Sequence, residues 1–118
     1  MIEELASLDK VIEFQRRCLT ESFKATEIHL YNKIDHYLEQ YAEYYKLDAQ
    51  AILDRHRWFV EQYSKDLLNF EKTGQYPFAT APSYTSVDRI TYDVALILSC
   101  LLVRHRFLIM KIISQYNK

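Results

Sequence analysis

Between Leu5 and Leu47 apolar side chains return every three or four residues, first as Leu5, Leu8, Ile12, Leu19 and Phe23, then as Tyr31, Ile34, Leu38, Tyr41 and Tyr45. That period lines them along one side of an α-helix. No glycine or proline interrupts the stretch, yet one unbroken helix here would be about 60 Å long at 1.5 Å per residue, much longer than a compact domain of this size. A turn is therefore expected between residues 20 and 26, where Thr20, Ser22 and Thr26 are able to cap a helix.

Asp48 reads as the N-cap of a further helix with Ile52, His56, Phe59, Tyr63, Leu67 and Phe70 on one face, Glu61 and Lys65 paired outside, and Gly74 as its C-terminal cap. A loop follows at about 74–85, apolar as well as proline-containing through Tyr76-Pro77-Phe78 and Ala81-Pro82-Ser83. Thr85 and Asp88 then match a capping box. It opens a last helix that runs to about Ser114 with Ile90, Val94, Ile97, Leu101, His105, Leu108 and Ile112 on its stripe. The pattern predicts an all-α protein, a helical bundle of four to five helices in which residues 1–118 form a single helical domain.

Composition sharpens this picture mainly by exclusion. Gly74 is the one glycine and Pro77 and Pro82 the two prolines, so the glycine-rich loops that bring backbone N–H groups close to a phosphate are missing. A formal net charge of -1 leaves no electrostatic footprint for nucleic acid or for an anionic membrane surface. The longest apolar run, residues 94–103, is about half the length of a membrane span. The acidic start Met1-Ile2-Glu3-Glu4 is unlike a secretory signal, and Cys18 and Cys100 stand alone in sequence; both point to a reduced, cytoplasmic setting. Ten tyrosines, four of them within residues 37–45, suit a core edge, a partner surface or a ligand pocket.

Two segments repeat one phrase: Arg55-His56-Arg57-Trp58 and Arg104-His105-Arg106-Phe107. Each histidine falls on an apolar stripe with arginines beside it. If the two helices pack together, His56 and His105 meet near a core boundary and the guanidinium groups are placed to hold a carboxylate or phosphate of a small acidic ligand. Alternatively the histidines are core-edge residues and the arginines pair with Asp54, Asp88 or Asp93. No histidine has an acidic residue three positions before it, so the helical Glu-x-x-His metal pattern is missing. His29 and His36, with Asp35 and Glu39 nearby, read as a solvated face. Cys18 lies beside Arg16 and Arg17, but sequence supplies no partner base. No catalytic, cofactor-binding or metal-ligating residue is assigned, and no complete active site is legible.

The C-terminal segment Arg104-His105-Arg106-Phe107-Leu108-Ile109-Met110-Lys111-Ile112-Ile113, preceded by a long apolar helix, resembles the last helix before the catalytic domain of some class I S-adenosylmethionine-dependent methyltransferases. Related transferases of the nicotianamine-synthase kind also carry a helical region ahead of a Rossmann-like domain. The resemblance implies an N-terminal helical region of a longer protein, acting as a lid or substrate-recognition surface and not catalytic alone. S-adenosylmethionine would be the cofactor if a catalytic domain follows. On that view Tyr76, Phe78 and Tyr84 border a pocket, with Arg57, Tyr76, Tyr84, His105 and Arg106 contacting the substrate. The competing expectation is a free-standing helical interaction or dimerisation module, self-associating through the tyrosine-rich face.

Overall fold

Six helices account for most of the residues that the computed structural model describes, 1–74 and 88–116: α1 (Ile2–Leu8), α2 (Lys10–Thr20), α3 (Ala25–Tyr44), α4 (Ala49–Thr73), α5 (Arg89–Leu102) and α6 (Arg104–Tyr116). The fold is all-α, as the periodicity implies, with no strand among the described residues. There are six helices and not four to five because the chain breaks at two places with no glycine or proline. At Asp9 the backbone turns extended and the side-chain carboxylate accepts from the N–H groups of Val11 and Ile12, capping α2. At Val103 the backbone is again extended (φ -113°, ψ 120°), separating α5 from α6.

The expected turn falls at residues 21–24, between α2 and α3. Lys24 has no side-chain acceptor, so its backbone N–H is satisfied from the other direction by the Glu27 carboxylate at 3.1 Å. Asp48 caps α4 through the Ala51 N–H at 2.8 Å, and Gly74 ends it in the left-handed conformation at φ 71°. The Glu61–Lys65 pair forms at 3.2 Å. Asp88, expected as the third residue of a helix capped by Thr85, is itself the N-cap of α5; its backbone is extended and it accepts from the Thr91 N–H at 2.7 Å. Thr85 and the rest of the 74–85 loop beyond Gly74 lie outside the described residues.

Helix α5 is the centre of the packing and meets α2, α3, α4 and α6. Val94, Leu98 and Leu101 on it are fully buried against Leu5, Ile12, Leu38, Ile52 and Leu53. The break at Val103 changes which residue of the Arg-His-Arg-Phe segment goes inside. A continuous helix would put His105 on the stripe; instead His105 is exposed and Phe107 is fully buried. Phe107 stacks on Phe23 with ring centres 4.6 Å apart and lies 6.1 Å from the ring of Tyr31. The Tyr31 hydroxyl donates to the carbonyl of Leu101 at 2.8 Å, satisfying an acceptor in the last turn of α5. Burying a phenylalanine stabilises by roughly 1.5–3 kcal/mol, whereas a buried histidine needs partners for its ring nitrogens. That difference favours the broken helix.

Candidate functional site

Not every apolar stripe reaches the core. On α4, Ile52 and Leu53 are fully buried, but Val60 is 47% exposed and Tyr63 56%. His56, Phe59, Val60 and Tyr63 form one wall of a groove, opposed by Val11 and Gln15 of α2. Ala95, Ser99 and Leu102 of α5 form its floor, and Val103, His105 and Arg106 close one end. The groove encloses about 420 Å³, within the roughly 300–1,000 Å³ of small-molecule sites. Its shape follows from side-chain size: alanine and serine one helical turn apart on α5 leave room between α2 and α4 that larger residues would fill.

Arg106 is the fixed charge in the lining; His105 and His56 stand beside it, and no aspartate or glutamate is among the described residues that line the groove. Arg106 has no ion-pair partner among the described residues. Burial holds the His56 imidazole below its ordinary pKa, an effect that Arg57 reinforces and Asp9 opposes. His56 is therefore a neutral hydrogen-bonding group at neutral pH. Burial likewise pushes the Cys100 thiol up, against smaller opposing effects of Ser99 and Arg106.

The two Arg-His-Arg segments thus meet in part. His56, His105 and Arg106 share the groove, but Arg57 turns away and makes a two-pronged contact with Asp9, Nε at 3.1 Å and Nη2 at 3.0 Å from Oδ2. Arg55 donates to the carbonyl of Ala51 at 3.3 Å, and Arg89 lies 3.7 Å from Asp93. Tyr76 and Tyr84 lie outside the described residues. Sequence reasoning missed Val11, Gln15, Val60, Ala95 and Ser99. The legible signal was the small pair Ala95 and Ser99 within an otherwise bulky α5.

The tyrosine-rich face of α3 divides. Tyr37 and Tyr44 are exposed, while Tyr41 donates its hydroxyl to Asp93 at 2.9 Å, and burial followed by that carboxylate raises its pKa. Tyr44 and Tyr45 meet edge to face with ring centres 4.9 Å apart. A second hollow of about 330 Å³ lies between α1, α2 and α3, with Arg16, Glu3 and Asp35 of mixed charge in its wall. Asp35 is occupied there, accepting from the Ile2 N–H at 2.8 Å. No described helix is long and apolar enough to cross a membrane.

No protein-family model, curated protein or solved structure matches this chain. What the site can do rests on its geometry: it offers apolar walls and a cationic end.

Proposed function

We propose that this chain is a helical interaction module that docks through the outer face of α6. The observation that carries the reading is an exposed apolar stripe on the side of that helix away from the core. Ile109, Ile112, Ile113 and Tyr116 stand at i, i+3, i+4 and i+7, the spacing of a helix–helix seam, and they are 37%, 54%, 45% and 85% exposed. The opposite side is the one held to the body of the protein, with Phe107 fully buried and Met110 packed against the core. Lys111 pairs there with Glu27 at 3.4 Å. A helix that turns its isoleucines outward leaves apolar area that a partner would remove from water.

A second copy of the chain is the simplest partner, because a two-fold contact covers the same stripe on both subunits. The test is mass measured by light scattering across a concentration series. A dimer that Ile112→Glu dissociates is the expected result. A monomer throughout, in both proteins, removes self-association.

A transferase substrate-recognition region is the second reading. It rests on the resemblance of residues 104–113 and is favoured by His105 and Arg106 lining one groove with His56. Reading the gene downstream of Lys118 tests it: a strand and a glycine-rich turn support it, and a stop codon removes it.

A further inference from the structure

We infer that the groove between α2, α4, α5 and the start of α6 is a binding site for a small amphipathic carboxylate, with its chain along Val60, Tyr63 and the α5 floor and its carboxylate at Arg106. Three independent features converge on that ligand class. The first is charge: Arg106 is the fixed charge of the described lining, with the hydrogen-bonding rings of His105 and His56 beside it and no carboxylate among those lining residues, so an anionic head finds a cation and ring donors there.

The second is the helix end. Helices favour negative charge at their N-terminus, where free N–H groups and the macrodipole add up to a partial positive charge. The first turn of α6 contains no acid and holds Arg104, His105 and Arg106. Val103, which precedes it, has no side-chain acceptor, and no hydrogen bond from the backbone N–H of Arg104, His105 or Arg106 appears among the described residues. Two arginines, Arg104 and Arg106, stand at the positive end of a helix, beside a cavity, with donors unspent. An anion bound there reverses each of these unfavourable terms.

The third is size. At about 420 Å³ the cavity suits a ligand of small-molecule dimensions. The Ala95–Ser99 floor admits an alkyl or aryl body close to the α5 backbone. A phosphate or other compact anion would leave the apolar walls of Phe59, Val60, Tyr63 and Leu102 unused.

The test is titration of the full chain with decanoate, decanol and decylamine, followed by calorimetry and by the imidazole NMR signals of His56 and His105. Decanoate is expected to bind at least about tenfold more tightly than decylamine, the scale of one charge-assisted hydrogen bond. Arg106→Gln, at an exposed side chain with no ion pair among the described residues, should weaken decanoate roughly tenfold and leave decanol unchanged. Ser99→Leu should weaken both by filling the floor. Equal affinity for the three probes, or decanoate binding that Arg106→Gln leaves intact, overturns the proposal. So do histidine signals that respond to protein concentration and not to decanoate, since a second copy would then fill the groove. Oligomeric state is read separately with Ile112→Glu, so the two assignments fail independently.

Discussion

Arg57 closes on Asp9 across 48 positions of sequence, with both Nε and Nη2 within 3.1 Å of Oδ2. The same carboxylate accepts the first free N–H groups of α2 through Oδ1. One side chain therefore ends α1, starts α2 and ties both to α4. Burial works against the charged form of Asp9, but the N–H groups of Ile12 and Val11 together with Arg57 outweigh it and hold the pKa below its ordinary value. Asp9→Ala should cost about 1–2 kcal/mol, chiefly as a lost cap. Arg57→Gln should cost less than about 1 kcal/mol, because the guanidinium is half exposed. A double-mutant cycle in urea measures the coupling. An Arg57→Gln loss as large as that of Asp9→Ala would mean that the pair, and not the cap, dominates.

Phe107 and His105 give the sharpest test of the break at Val103. Phe107→Ala removes a fully buried ring from the Phe23–Tyr31 cluster and should destabilise by about 3–5 kcal/mol. His105→Ala, at an exposed position, should change stability by less than about 0.5 kcal/mol. A continuous last helix predicts the reverse order, so urea midpoints of the two variants decide between the registers.

The helices were legible because period and caps agree: Asp48 and Gly74 bound α4 at the residues that local chemistry selects. The breaks at Asp9 and Val103 were less so, because the three-and-four spacing of Leu5, Leu8 and Ile12, and of Leu101, His105 and Leu108, runs straight through both. Lys46 takes φ 56° and closes α3 with the Leu47 N–H on the Ala42 carbonyl at 2.8 Å, at the boundary that Asp48 marks from the other side. At Val103 the deciding force is tertiary, the burial of Phe107 against Phe23, 84 positions away in sequence. The groove was half legible for the same reason. His56, His105 and Arg106 carried a recognisable phrase, while Ala95 and Ser99 matter through the space they leave, which no stripe of apolar residues records.

The two left-handed caps predict opposite responses. A non-glycine residue in this conformation costs roughly 1–2 kcal/mol, and glycine returns about 0.5–1 kcal/mol of that as unfolded-state entropy. Lys46→Gly should therefore raise stability by about 0.5–1 kcal/mol. Gly74→Val should lower it by at least about 1 kcal/mol, through the backbone, since among the described residues an added Cβ would meet no atom within 4 Å beyond its own chain neighbours. Thermal melts of the two variants check both signs, and a Gly74→Val melt equal to the wild type would refute the strain argument.

His56 makes the protein sensitive to mild acid. Burial is the main reason its folded-state pKa lies below the ordinary 6.5, with Arg57 adding to the shift and Asp9 opposing it. The unfolded chain consequently binds a proton at this site more readily than the folded one. Stability from the neutral imidazole is fully present above about pH 6.5 and is lost as pH falls toward the folded value. One proton sets a ceiling of about 1.4 kcal/mol per pH unit. His56→Gln carries no such proton, so between pH 7.5 and 5.5 the wild type should lose more unfolding free energy in urea than the variant. Equal losses would place the acid sensitivity elsewhere in the chain and remove His56 as its source.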